Sequence, residues 1–510
     1  MKTVVIGSGM SGLVSAAYLA QAGHQVTVYE QFPNIGGVTA TLENGGYSWD
    51  LGPLLLEKFG PGEPAHDILL ELGVASQVQV VREDRGVSFP DYALWKADEY
   101  AGPYWRRERL KELFPEESEA LDRYYEFYNQ ILDLMGLAQR AEGMQGLGAL
   151  PVKLRLWWSF RKLRDMADWS AAQVMDHFFQ RQEIKALFTA ILADFVVLPS
   201  EFPGLGIPAT HVETAFDKRI PLQAGDQRPR PGYWYVIGGV GEVVKALARS
   251  IKVHGGQIRE STPVEKIQVE QGQVTGVQLA GGQIEPADLV IASGGAREIL
   301  YGLLGQEHLT AEYVDGIEAL TPMESVLMVH LGVDMDPGAY QPAALCYYYG
   351  TYDIEEGVHR CRSGDYHEGK DGFLVYVPSM HSPAMAPPGH HAVTIYTIAP
   401  NVLSEGTWEE RREELGEKLV MEAERFIPGL RAHTQVALTL TPDDFQRRTH
   451  LKHHAFGGIA PVMGVPNPAH RTPVKGLWFV GAQSESGGGV AGVMIGARKV
   501  AHQILREERS

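Results

Sequence analysis

The stretch from residue 2 to residue 30 constrains this chain more than any other. Residues 3–6, mostly β-branched, read as a buried strand, and the run GSGMSG follows, with glycines at Gly7, Gly9 and Gly12. An alanine-rich helical stretch then runs to Gly23, and residues 25–29 alternate before Glu30. The order is strand, turn, helix, strand: the opening βαβ unit of a doubly wound parallel sheet. In such a unit the first glycine permits the tight turn, the second lets backbone approach a pyrophosphate, and the third lets helix and sheet pack closely. The helix N-terminus then presents free N–H groups to the phosphates. Glu30, about twenty residues on, stands where a carboxylate accepts hydrogen bonds from the adenosine ribose, and an acid there disfavours the 2′-phosphate of NADPH. The sequence thus predicts a dinucleotide site built from Gly7, Ser8, Gly9, Met10, Ser11, Gly12, Glu30 and Gln31.

Bulk properties exclude several other classes. The 510 residues carry 45 basic and 63 acidic side chains, a formal net charge of -18, whereas a nucleic-acid surface needs a basic field. Two cysteines, Cys346 and Cys361, are too few for a disulfide framework and have no metal-binding spacing, which fits a reducing compartment. The first strand begins two residues into the chain, leaving no room for a signal peptide, so a cytoplasmic location is expected. The longest apolar region, "IKALFTAILADFVVLP" from Ile184, carries Lys185 and Asp194 and reads as a buried helix rather than a membrane span.

Downstream of Glu30, "NIGGVTATLENGGYSWDLGP" places Gly36, Gly37, Val38 and Thr39 in a loop, followed by Asp50, Gly52 and Pro53. This resembles the GG-x-x-x-T and G-x-x-x-D-x-G-P sequences of the flavin-containing amine oxidase superfamily, in which the loop runs along FAD. The resemblance implies FAD as cofactor and a Rossmann-type, glutathione-reductase-like α/β domain with an interleaved α+β substrate domain. It assigns residues 1–84, 231–309 and 441–510 to the FAD-binding domain, and 85–230 and 310–440 to the substrate domain. The superfamily's usual arginine after the paired glycines is Val38 here. A meander is expected after a strand at 257–260, with turns at Gly272 and Gly281–Gly282 and a buried strand at 289–291. It is similar to the second FAD-contacting segment of the superfamily, in which the backbone at Val264 meets the adenine.

The glycine pattern recurs in GGGVAG, at Gly487, Gly489 and Gly492, after a strand that ends near Gly481. No second strand and ribose acid follow, so this repeat is read as the start of a helix aimed at the flavin ring. There the helix dipole favours negative charge on a reduced flavin. Residues 480–493 look like the C-terminal signature of the bacterial-type phytoene desaturases. "SMHSPAMAPPGHHAVTIYTIAP" and "FIPGLRAHTQVALTLTPDDF" are similar to two further runs of the group that holds carotenoid desaturases, carotenoid isomerases and retinol saturase. The resemblance adds Gly481, Ala482, Gly489, Val490 and Ala491 to the FAD contacts. It implies a long apolar isoprenoid substrate, with hydride passing to flavin N5 as a double bond forms. Isomerisation or saturation from reduced FAD remains open beside desaturation, as does an amine oxidase. Where the desaturases carry histidine and proline, this chain has Glu485 and Ser486, and Glu485 is the candidate for the proton step.

In "LPVKLRLWWSFRKLRD", five cations interleave with Trp157, Trp158 and Phe160, a local reversal of sign in an acidic protein. Two readings fit residues 151–164: an interfacial helix on anionic lipid, giving peripheral contact with the inner face of a membrane, or a solvated helix whose aromatics face the core. His450, His453 and His454 have no acid or cysteine clustered with them, so no metal is expected. "CYYYGTYD" after Cys346 reads as an aromatic strand.

Overall fold

A computed structural model describes all residues except 53, 143, 145–146, 224–229, 453–457 and 510. The strand Lys2–Ile6 lies at the middle of a five-stranded, wholly parallel sheet, in the order Gln257–Arg259, Gln25–Tyr29, Lys2–Ile6, Leu289–Ser293, Leu477–Val480. Strands covered on both faces must be apolar throughout: Val4, Val5, Val290, Ile291, Phe479 and Val480 are all buried. The helix Met10–Gln21 is buried along almost its whole length, because the sheet and the helices Gly241–Val253 and Val490–Glu507 pack around it. Only small side chains permit that crowding, and Gly12, Ser15, Ala16, Ala17 and Ala20 supply them.

The expected meander forms a three-stranded antiparallel sheet, Val264–Glu270, Gln273–Leu279 and Ile284–Pro286. A seven-stranded sheet takes its strands from 85–94 and 325–440, in the order Thr434–Leu440, Ser325–Val333, His391–Ala399, Gly372–Tyr376, Leu345–Tyr349, Arg85–Ser88, Ala93–Leu94. Its pairs are antiparallel except for Arg85–Ser88 beside Leu345–Tyr349. The aromatic run after Cys346 is therefore a strand. A helical layer, including Ser118–Glu142, Ala171–Phe178 and Gln182–Thr189, packs its apolar faces into a second core.

One expectation needs correction. The apolar region from Ile184 is α-helical only to Thr189, tightens to a 3-10 turn over Ala190–Phe195, and ends at Val196 with φ 46°. The Arg362 guanidinium donates to the Val196 carbonyl at 2.8 and 3.2 Å, and this long-range contact holds a backbone that a β-branched residue rarely adopts.

Candidate active site

A continuous cavity of about 2950 Å³ reaches from the first glycine loop to the seven-stranded sheet. Small-molecule sites usually measure about 300–1,000 Å³, so this one has room for a dinucleotide and a second long ligand. Gly7, Gly9, Met10, Ser11, Glu30, Gln31, Gly36, Gly37, Val38 and Thr39 line it, as do Val264, Gly481, Ala482, Glu485, Gly489, Val490 and Ala491. Ser8 and Gly12 stand behind that wall. The Ser8 N–H and hydroxyl donate to one Glu30 carboxylate oxygen at 2.8 and 2.5 Å, while Phe32 N–H donates to the other at 2.9 Å. Gly36 N–H in turn reaches the Ser8 hydroxyl at 3.2 Å, so Ser8 ties the first turn, the acid and the second loop together. At Gly12 a Cβ would lie 2.2 Å from the Gly7 carbonyl oxygen, and only glycine lets the helix pack that close to the strand.

Two long helices open on the cavity without a side-chain cap or an acid in their first turn: Met10–Gln21, entered at Gly9, and Val490–Glu507, entered at Gly489. Their orphan N–H groups and positive dipole ends make both into anion sites. A Cβ at Gly487, Gly488 or Gly489 would meet nothing within 4 Å, and one at Gly9 would meet only the Ser293 hydroxyl at 3.8 Å. Bare backbone therefore faces open volume on both sides.

Arg448, which the sequence reading missed, completes this cradle. It comes from the helix Pro442–Thr449, lines the cavity, and donates through Nε to the Gly37 carbonyl at 2.6 Å. Its guanidinium carbon lies 4.6 Å from the Phe32 ring centroid, and its Nη2 is buried without a partner. Burial pulls its pKa down, and the charge of Glu30 works in the opposite direction. A buried cation with an orphan donor, lining the same cavity as two anion-seeking helix ends, fits a pyrophosphate-bearing cofactor. Its only sequence signal is the missing arginine at Val38, which says that a cation is needed and not where it comes from.

Glu485 is exposed, and its carboxylate lies 3.3 Å from Lys499 Nζ and 3.8 Å from His470 Nε2. Asp50, at the end of the strand Tyr47–Asp50, is fully buried and accepts from Val240 N–H at 2.8 Å at the start of the helix Gly241–Val253. Burial pushes its carboxyl up to about 7 against that hydrogen bond. Gly52 lines the cavity, and Pro53 lies outside the described residues. His450 caps the helix Pro442–Thr449 with φ 59° and lines the cavity; His453 and His454 lie outside the described residues. Among the described residues no group of three or more His, Cys, Asp or Glu is arranged to hold a metal ion.

Away from the glycines the lining turns apolar, with Leu54, Leu55, Ile191, Phe202, Met323 and Leu345. Leu132, Met135 and Gly136 of the helix Ser118–Glu142 also line it, and Met135 is exposed as well, which marks an opening. Packed on that helix is Leu150–Arg161, which has no buried residue: Trp157 is 55% exposed, Trp158 56% and Phe160 43%. The core-facing reading of its aromatics is thereby overturned. Arg161 lies 5.6 and 5.7 Å from the two tryptophan ring centroids.

Residues 10–505 match the family described as "Flavin containing amine oxidoreductase". The chain is 26% identical to pyridine nucleotide-disulfide oxidoreductase domain-containing protein 2 of Rattus norvegicus, over 99% of this chain and 93% of that one. It is 24% identical to the chloroplastic prolycopene isomerase of Daucus carota (99% and 80%), and 25% identical to the zeta-carotene-forming phytoene desaturase of Myxococcus xanthus (99% and 94%). Among solved structures, an oxidoreductase from Methanosarcina mazei superposes with a TM-score of 0.64 at 21% identity, covering 98% of this chain and 100% of that one.

Proposed function

Because this chain belongs to the flavin-containing amine oxidoreductase family and is an FAD-dependent oxidoreductase, we propose that its substrate is a long apolar isoprenoid or polyene, in which it forms a carbon–carbon double bond. The observation that carries the reading is the cavity itself, a glycine-lined anion cradle continuous with a stretch lined by Leu54, Ile191, Phe202, Met323 and Leu345, about 2950 Å³ in all. When bound, FAD supplies the two-electron acceptor for hydride leaving an allylic carbon.

The protein's own part is positioning and exclusion of water. We assign residues 1–84, 231–309 and 441–510 to the FAD-binding domain, and 85–230 and 310–440 to the substrate domain. Gly7, Gly9, Met10 and Ser11 would hold one phosphate at a helix N-terminus, with Arg448 as counter-charge, and Glu30 would take the ribose. The backbone at Val264 would meet the adenine, and Gly481, Ala482, Gly489, Val490 and Ala491 would hold the flavin end of the cofactor at the second helix N-terminus. Glu485 takes the proton at the cofactor end of the cavity.

The likeness to prolycopene isomerase supports a second reading, in which reduced FAD serves cis–trans isomerisation in the same cavity. One anaerobic experiment separates them. Phytoene or lycopene isomers in liposomes are added to the purified holoprotein while its visible spectrum is followed and the products are separated. Flavin bleaching with a product gaining one conjugated double bond is expected for the desaturase. Turnover only after dithionite reduction moves the assignment to isomerase or saturase, and silence in both states removes the carotenoid substrate. In the same assay Glu485→Gln is expected to keep FAD and lose turnover at least tenfold; full turnover removes Glu485 from the proton step.

We further propose that Leu150–Arg161 docks on anionic lipid beside the cavity opening, aromatics at the headgroup boundary and cations outward. Among the described residues no helix is long and apolar enough to cross a membrane. Burying a large apolar side chain is worth about 1.5–3 kcal/mol, so Trp157→Ala/Trp158→Ala is expected to weaken co-sedimentation with phosphatidylserine-containing vesicles by at least tenfold. Unchanged co-sedimentation, or none by the native protein, would sink the docking role.

A further inference from the structure

A charged cluster stands inside the apolar part of the cavity, where removal of hydride from a hydrocarbon gives it no task. Arg85, Asp194 and Tyr347 all line the cavity alongside Leu54, Ile191 and Leu345. The fold brings them together from three places. Arg85 opens Arg85–Ser88, which pairs in parallel with Leu345–Tyr349, the strand that carries Tyr347. Asp194 comes from the 3-10 turn Ala190–Phe195, where the apolar run leaves the α-helix.

Arg85 is fixed in place. Its Nη2 donates to the Thr210 carbonyl at 2.9 Å, and its guanidinium carbon lies 4.5 Å from the Phe216 ring centroid and 5.7 Å from those of Tyr233 and Tyr347. Its Nε is buried without a partner. Asp194 is half-buried against the cavity; burial raises its carboxyl to about 7, and the Arg85 charge and the Tyr347 hydroxyl work against that rise. A plain hydrocarbon laid across such groups would desolvate them and return no hydrogen bond, at a cost that native interiors avoid.

We infer that Arg85, Asp194 and Tyr347 form a recognition site for a hydroxyl group at one end of the substrate, making the substrate an isoprenoid alcohol rather than a hydrocarbon. A hydroxyl both donates and accepts, so it donates to the Asp194 carboxylate and accepts from Arg85 or Tyr347. It is neutral, and leaves the opposite charges of Arg85 and Asp194 in balance. A carboxylate end would set a second anion beside Asp194 and could enter only with a proton. The inference rests on the apolar-substrate reading above and narrows it.

The test is binding to the FAD-loaded protein of three C20 chains that differ at one end: all-trans-geranylgeraniol, geranylgeranoic acid and the matching hydrocarbon, titrated by quenching of intrinsic fluorescence. Hydrogen bonds to charged groups support a preference of about ten- to a hundredfold for the alcohol over the hydrocarbon. Asp194→Asn and Tyr347→Phe, both nearly isosteric, are each expected to shrink that ratio at least threefold, and Arg85→Met to erase it, through weaker alcohol binding. Equal affinity for alcohol and hydrocarbon in the native protein overturns the inference and leaves the apolar-substrate reading standing. A ratio untouched in all three variants also overturns it, as does tighter binding of the acid than of the alcohol. If none of the three chains binds, the inference falls, and the apolar-substrate reading is decided by the phytoene and lycopene experiment above.

Discussion

Gly12→Ala is expected to purify without FAD. The added Cβ would sit 2.2 Å from the Gly7 carbonyl oxygen and 3.3 Å from its carbonyl carbon, both backbone atoms with little freedom to yield. Gly7 is itself pinned, since its N–H donates to the Tyr29 carbonyl at 2.8 Å and its φ of 88° suits glycine. Relief therefore has to come from a shift of the helix Met10–Gln21, and that shift moves the N–H groups at its open end together with Ser8 and the Glu30 carboxylate. Overpacking costs about 1–3 kcal/mol, and loss of alignment at the phosphates adds to it. FAD affinity is expected to fall at least a hundredfold by titration of the apoprotein, and the apoprotein's melting temperature to fall by several degrees. FAD content equal to that of the native protein would mean that this junction does not set the phosphate site.

Arg448→Met separates the cofactor's requirement from that of the fold. Methionine keeps much of the apolar stem against Phe32 and removes the guanidinium. Charge-assisted hydrogen bonds contribute about 1.5–3 kcal/mol, so FAD binding is expected to weaken about ten- to a hundredfold. The apoprotein should gain or hold stability, because a buried cation with an orphan Nη2 is costly when nothing pairs with it. Opposite signs in the two measurements are the signature of a residue kept for its ligand. Arg448→Lys should fall between, since an ammonium cannot both hold Gly37 and fork toward a phosphate. Equal FAD affinity in native protein and Arg448→Met would assign Arg448 to packing alone.

The residues that reasoning on sequence found and those it missed differ in the range of the contacts that define them. The first βαβ unit is encoded within about thirty residues, by alternation, glycine spacing and a terminal acid, all local signals. The strand before Gly481 and the helix after Gly489 were legible for the same reason. Arg448 was not, because what defines it is a carbonyl at Gly37, 411 positions away. The parallel pairing of Arg85–Ser88 with Leu345–Tyr349 left no trace in either segment, since register between distant strands has no local code. The apolar run from Ile184 fails differently. Its composition suits a continuing helix, but the chain tightens to a 3-10 turn from Ala190 on, and Arg362 holds the Val196 carbonyl where that turn ends. That turn is what carries Asp194 to the cavity, so the departure from helix and the polar cluster are one feature of the fold.

The strand order of the parallel sheet also sets a timetable. Lys2–Ile6 is flanked on one side by Gln25–Tyr29, made almost at once, and on the other by Leu289–Ser293, with Leu477–Val480 beyond it. Met10–Gln21 gains its packing partner Val490–Glu507 later still. At about 5–20 residues per second, a ribosome needs on the order of half a minute to a minute and a half to reach that last helix. For that interval the apolar first strand and helix have no completed layer to bury them, and the cradle for the cofactor lacks one wall. Nascent chains should therefore engage chaperones through the first strand and helix until Val490–Glu507 has emerged, and acquire flavin only once that helix has closed the cradle.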